Sequence, residues 1–443
     1  MDAAKPLTVA PRPSSIAERL RLSYMDGVML AAAIGLIAFS VFTLANASRH
    51  ELEGQPLYFA SRQGLYALVG VVVMLAVARA DYSRLREPRV GIYTAMIASI
   101  LLVFLFGTAI RGSHRWIELP YFRFQPSELA KVLLVISLAA FAFERVRRRP
   151  DFRHTLLLLG VGLGPAALVF LQPDLGTGIV LVAAALAVLF VAALPWQHLV
   201  AIATAAAVLG AGALAVGPSL GIDLLHGYQE DRLTAFLHPS DDPRDASYQV
   251  NQGVIAVGSG GGTGRGGEAT QSELLFLPER HTDFIFAVVA ERFGFLGAAF
   301  VLSLYALLIW RALRLMTMSK SFYGTLIAGG IVGMLLFQIL VNVGMNLGIM
   351  PVTGITLPLM SYGGSSVLAT FLALGLLQSI HVQARLNARK GRASQALRRR
   401  RREPGQPARK PRVRGAPGSP PQLGRPLTQR RRRAPPAAHR PRT

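Results

Sequence analysis

Apolar residues in this chain gather into ten blocks of about 16 to 28, separated by charged or turn-forming stretches. Each block is close to the length that crosses roughly 30 Å of hydrocarbon. The pattern predicts spans over Met25–Ala45, Gly64–Ala80, Val90–Gly107, Ser127–Phe143, Thr155–Phe170, Thr177–Ala193, His198–Val216, Asp283–Trp310, Gly324–Leu347 and Gly364–His381. Soluble domains in 443 residues would show shorter, periodic apolar stripes instead. The fold class expected is therefore an all-α integral membrane protein of ten transmembrane helices. A polar leader precedes the first block, which is too long for the apolar region of a cleavable signal, so it is expected to stay as a helix. No convincing internal repeat is visible, which weighs against inverted-repeat transporter folds.

Cationic clusters lie before the first span and after the second, fourth, eighth and tenth. The positive-inside rule then places both termini in the cytoplasm. The loop between spans three and four disobeys it: Arg111, Arg115 and Arg123 fall outside, where an anionic ligand would explain them. Between helices 7 and 8 the residues 217–282 form a large extracytoplasmic loop with nine acids against four arginines. Loops of this length are uncommon unless functional.

Of the formal net charge of +23, +19 sits from Arg385 onward, leaving +4 for everything before it. The domain reading is a cytoplasmic leader 1–24, a membrane domain 25–384 and a basic tail 385–443. The tail is rich in Pro and Gly and poor in apolar residues, so it is expected to be disordered near anionic head groups. Nothing beyond that basicity suggests a nucleic-acid partner. The absence of cysteine excludes disulfides and Cys-based metal or redox centres.

Chemistry concentrates at the predicted outer boundary. In Leu277–Glu291 (LPERHTDFIFAVVAE) polar residues give way abruptly to an apolar run at Phe284. Asp283 thus sits at a helix mouth, where protein rather than water sets its properties. It is either an N-cap of the eighth helix or a base. Glu291, eight residues on and roughly 12 Å deeper at 1.5 Å per residue, reads as a buried structural acid. Glu128 and Lys131 are spaced i, i+3 and share a helix face, either as a structural pair or with Lys131 offering charge to a phosphorylated lipid. Asp174 either caps the sixth span or shapes the cavity. The Gly-rich run 258–267 lacks the Lys-Ser/Thr ending of a nucleotide loop and suggests only close backbone approach. Residues 351–366, with two prolines and three glycines, predict an irregular segment that membrane depth tolerates only when buried in protein or facing a wet cavity.

Five motifs in order resemble the SEDS family (shape, elongation, division and sporulation), the bacterial peptidoglycan polymerases of RodA and FtsW type. They are RFQPSELAK at 123–131, LQPDLGTG at 171–178, YQEDRLTAFLHPSDDPRDASYQ at 228–249, LPERHTDFIFAVVAE at 277–291 and GIMPVTGITLPLMSYGGSS at 348–366. PERHTDF and PVTGITLPL look more like the RodA branch. The resemblance implies a ten-helix, inverting glycosyltransferase that polymerises lipid II on the outer face of the bacterial cytoplasmic membrane. It implies a class B penicillin-binding protein (a transpeptidase) as partner. The family's essential acid falls on Asp283 and its ion pair on Glu128 and Lys131. Arg292 stands where family members often carry a second acid, so no role for that acid transfers.

In this reading Asp283 is the general base for the acceptor's 4-hydroxyl. Lys131, Arg123 and Arg115 meet the leaving diphosphate, and Ser365 and Ser366 join Glu128 in binding substrate. A divalent cation (Mg or Mn) is expected and no organic cofactor. A lipid II flippase or a non-enzymatic scaffold for the penicillin-binding protein are the alternatives. Polar groups crowding one boundary favour chemistry over passage.

Overall fold

The computed structural model describes residues 24–47, 55–110, 113–118, 122–145, 152–172, 174–195, 197–198, 200, 204, 246–273, 276–277 and 279–402. Most of the predicted seventh span, the first part of the 217–282 loop with most of its 228–249 motif, and the tail beyond Arg402 lie outside these residues. The chain divides into two compact units, Met1–Gly391 and Arg392–Thr443.

The first unit is mostly helical. The helices of the described residues are α1 (Gly27–Ala47), α2 (Tyr58–Arg79), α3 (Arg89–Phe106), α4 (Pro126–Arg145), α5 (Phe152–Phe170), α6 (Leu175–Val191), α7 (Ala246–Ser259), α8 (Ile285–Met318), α9 (Phe322–Asn346) and α10 (Gly364–Arg402), whose last residues belong to the second unit. Among the described residues eight are long and apolar enough to cross a membrane, and α6 is a shorter apolar helix of the same kind. α7 is a 14-residue helix within the long loop.

Burial orders the helices. In the apolar window of α10 89% of residues are buried, against 17% in α3, so α10 runs through the middle while α3 turns most of its surface outward. α9 packs on α6, α8 and α4, and α8 packs on α1 and α7. Because lipid is as apolar as these side chains, the buried polar residues, not hydrophobicity, distinguish inside from outside.

Three departures from the hydropathy reading have physical causes. The 108–124 connection is not a plain loop but an antiparallel sheet of β1 (Thr108–Ile110), β2 (Ser113–Glu118) and β3 (Arg123–Phe124). Its pairing sets Glu118 opposite Arg123, and the β-branched and aromatic residues of TAI and RWIE suit strands. α2 starts six residues before the predicted Gly64, because Gln63 is buried and bonded rather than solvated. α10 runs on to Arg402, past the predicted end of the tenth span at His381, through Ala, Arg, Leu and Gln, all good helix formers.

α8 is two helices joined at Gly294, whose φ of 65° and ψ of −162° break the ladder. The glycine-rich run 260–265 fills the break. The Gly261 and Gly262 carbonyls accept from the Phe295 and Leu296 N–H groups, and Arg265 N–H donates to the Glu291 carbonyl at 2.9 Å. The close backbone approach expected of this run is therefore to α8 itself. A Cβ at Gly264, whose φ is +83°, would drive into the Arg292 carbonyl. Gly264→Ala should therefore cost about 2–4 kcal/mol from strained backbone and overpacking. Gly267→Ala, where a Cβ meets open space, should leave stability within about 0.5 kcal/mol. Thermal unfolding of the two detergent-purified variants checks the contrast.

Candidate active site

Asp283 lies two residues before α8, in the turn 279–284. The N-cap position is Phe284, not Asp283, and Phe284 has no side-chain cap. What fixes the turn is its own backbone. Its N–H groups at 282, 283 and 284 all point to the Glu279 carbonyl. Three successive carbonyls are then taken by distant elements. That of His281 accepts from Tyr362 N–H at 2.8 Å. That of Thr282 accepts from the Ser361 hydroxyl at 2.6 Å. That of Asp283 accepts from the Asn342 and Asn346 carboxamides at 2.9 and 3.0 Å. The His281 ring also stacks on Phe59 of α2, with centroids 4.3 Å apart. Asp283 is half-buried.

The segment 351–363 that supplies the Ser361 and Tyr362 donors is irregular and largely buried, as membrane-depth backbone without helical bonds must be. Leu357-Pro358-Leu359-Met360 forms a type II turn, closed by Met360 N–H on the Leu357 carbonyl at 3.1 Å. Leu359 stands at the position that normally takes glycine, with φ 65°. Packing of this fully buried leucine holds the left-handed backbone, which costs roughly 1–2 kcal/mol. The Ser361 hydroxyl locks the turn by accepting Leu357 N–H at 2.7 Å. Burial and then Tyr66 push the Tyr362 hydroxyl up, so it stays a neutral phenol beside the turn.

The same segment connects Asp283 to the charged motif. Ser365, at the start of α10, accepts Gln125 N–H at 2.9 Å and donates to the Arg123 carbonyl at 3.2 Å. Ser366 shares a hydrogen bond with Thr356 at 3.0 Å. Near the start of α4 Glu128 and Lys131 form a buried ion pair of 2.8 Å, as the i, i+3 spacing predicts. Asp174 is the N-cap of α6, accepting Thr177 N–H. It also accepts from Gln125 at 2.9 Å, Ser127 at 3.3 Å and Arg115 at 3.3 Å. Gly176, in the same turn, lets backbone touch backbone: a Cβ there would strike the Thr353 carbonyl. Arg115 is thus engaged by Asp174. The Arg123 side chain is 63% exposed and reaches Glu118 at 3.6 Å.

Among the described residues no three His, Asp or Glu side chains gather as a metal cage. The Glu128 and Asp174 carboxylates already have the partners above. Among the described residues these carboxylates do not fit a protein-held divalent cation.

Residues 22–386 match the model of the FtsW/RodA/SpoVE family, described as "Cell cycle protein". The chain belongs to this family. The Escherichia coli (strain K12) protein named peptidoglycan glycosyltransferase MrdB is 38% identical over 371 residues, 82% of this chain and 95% of that one. The Bacillus subtilis (strain 168) stage V sporulation protein E is 34% identical over 326 residues, covering 73% of this chain and 87% of its own. A solved structure described as "Structural coordination of polymerization and crosslinking by a peptidoglycan synthase complex" superposes with a TM-score of 0.67 at 33% identity. It covers 81% of this chain and 97% of that one.

Four of the five SEDS motifs thus converge through hydrogen bonds, while most of the 228–249 motif lies outside the described residues. Glu291 is fully buried and accepts Gln271 N–H at 2.8 Å, in keeping with a structural acid. Sequence reading missed Asn342, Asn346, Gln125 and Ser361. The first two had a signal: carboxamides four residues apart inside an apolar span are costly unless they have inward partners.

It also missed Asp26. At the far end of α8, roughly 39 Å away by helical rise, Asp26 caps α1 through Val28 and Met29 N–H. It pairs with Arg311 Nε at 2.8 Å, and its backbone exchanges two bonds with Gln378. Burial pushes its carboxyl up, but Arg311 overrides this and holds it below the ordinary value. α1, α8 and α10 are tied at that end as the turn is tied at this one.

The buried pair gives a stability prediction. Lys131→Met strands the Glu128 carboxylate and should cost about 3–5 kcal/mol. Adding Glu128→Gln should recover most of that, because two neutral side chains need no mutual compensation. Thermal midpoints of the single and double variants measure the difference.

Proposed function

We propose that the chain is a peptidoglycan glycosyltransferase that polymerises lipid II on the outer face of the cytoplasmic membrane. Asp283 acts as general base. The reading rests on one observation above the rest: in a member of this family, three consecutive carbonyls pin the turn that carries Asp283, and Ser365, just after the segment that supplies two of the donors, bonds Gln125 and Arg123 at the start of the motif that carries the buried Glu128–Lys131 pair. Pre-set position of a reacting group is what such a reaction needs, since glycosyl transfer joins two bulky substrates in one geometry.

The Asp283 carboxylate takes the proton of the acceptor sugar's 4-hydroxyl as that oxygen attacks the donor's anomeric carbon. Such a base contributes typically ~10²–10⁴-fold. The bond to the diphosphate breaks on the opposite face. An α-linked donor then gives a β-linked product by one displacement with inversion, so no second nucleophilic carboxylate is needed. Lys131, held by Glu128, and the exposed Arg123 supply positive charge to the departing diphosphate. Arg115 acts through Asp174, and Ser365 and Ser366 shape the floor.

In the membrane the reading has ten spans, with the predicted seventh between α6 and α7, the 217–282 loop outside and both termini in the cytoplasm. The positive clusters support this orientation. Likeness to MrdB, together with PERHTDF and PVTGITLPL, supports the elongation type. The synthase complex described for a structural relative supports a class B penicillin-binding protein as partner.

Purified full-length protein with its class B partner and labelled lipid II should make glycan strands. Asp283→Asn should reduce strand formation by at least ~10²-fold while elution profile and membrane insertion stay those of the parent. Strand formation at the parent rate by the Asn variant would sink the assignment.

A further inference from the structure

Where α8 begins, a backbone hydrogen bond is missing and a side chain stands in for it. In a regular helix the Asp283 carbonyl would accept the Ala287 N–H. Here the Asn346 carboxamide is inserted between them: its Oδ1 accepts Ala287 N–H at 3.0 Å and its Nδ2 donates to the Asp283 carbonyl at 3.0 Å. The Phe284 carbonyl takes the next N–H, that of Val288, in the ordinary way. The helix ladder therefore begins one residue after Asp283, and Asn346 marks the place.

The orientation of this carboxamide is unambiguous. An N–H cannot face an N–H, so the oxygen must lie toward Ala287 and the nitrogen toward Asp283. The second hydrogen of Asn346 Nδ2 goes to the Asn342 carbonyl at 2.8 Å. Asn342 sends its own amide to two carbonyls, those of Asp283 and of Ile355, the latter at 2.7 Å. Both asparagines are fully buried on α9.

We propose that Asn346, supported by Asn342, is a positioning residue for Asp283. It holds the carboxylate on the turn by denying the Asp283 carbonyl its helical partner. Without the carboxamide, the Asp283 carbonyl and the Ala287 N–H can bond to each other. The helix then gains a residue, and the side chain at 283 swings around the axis toward its next position, about 100° per residue at 3.6 residues per turn. The groups freed by the substitution satisfy one another, so the fold loses little while the carboxylate moves.

The inference rests on Asp283 being the base, and the test separates the two claims. Full-length Asn346→Ala, Asn346→Asp and Asp283→Asn are purified with the partner and assayed with labelled lipid II. Initial rates are expressed per folded, monodisperse molecule. Asn346→Asp keeps size and an acceptor for Ala287 but places a carboxylate oxygen against the Asp283 carbonyl. Both Asn346 variants should lose roughly 10- to 100-fold in kcat, the scale of a misplacement of about 1 Å, with KM for lipid II unchanged. A role confined to folding would lower the yield of folded protein and leave kcat per folded molecule alone. Parent-level kcat in both Asn346 variants, alongside an inactive Asp283→Asn, overturns the positioning role and leaves the base in place. An active Asp283→Asn overturns the base itself.

Discussion

Backbone that leaves the helical ladder inside a membrane protein must find a partner for every polar group, and the turn at 279–284 meets that constraint with three consecutive carbonyls. Each draws its donor from a different place: a backbone N–H, a hydroxyl and a pair of carboxamides. An unsatisfied carbonyl at this depth costs several kcal/mol. The strained turn at Leu359 and the buried asparagines of α9 follow from that need. The irregular segment before α10 and the break in α8 at Gly294 are two further cases of the same rule, the first met by the side chains of Ser40, Gln63, Tyr305 and Asn342 and the second by the backbone of the glycine-rich run.

The charged groups obey a parallel rule. Glu128 and Lys131 are buried only because each neutralises the other, and Asp174 is buried because Gln125, Ser127, Arg115 and Thr177 all donate to it. Asp174 shows how one acid can serve both readings that its sequence position allowed, capping a helix and holding two neighbouring motifs together. The described parts of the site are cross-linked by hydrogen bonds. In the proposed reaction substrate is what moves, delivered to a carboxylate whose backbone is already fixed.

Much of this was legible in the sequence because membrane proteins write their spans as apolar length and their sites as polar interruptions. Asp283, the Glu128–Lys131 spacing and the irregular run 351–366 stood out for that reason, as did the structural character of Glu291. Helix ends were less legible: Gln63 looks solvated in sequence but is bonded to Ser40 and Ser361. The three-stranded sheet was hidden in a short connection whose alternation covers only a few residues. Asn342 and Asn346 were missed because a span was judged by its average, and two carboxamides barely lower the mean of 25 residues. The contact that gives them meaning lies 59 and 63 residues away along the chain.

If one pinned carboxylate does the proton transfer, the pH–rate profile of lipid II polymerisation by the full-length protein with its partner must carry its titration. The account predicts that, on the acid side, log kcat falls with a slope of about one per pH unit as a single group is protonated, over a range where the protein stays folded. A kcat that stays flat across that range would contradict it.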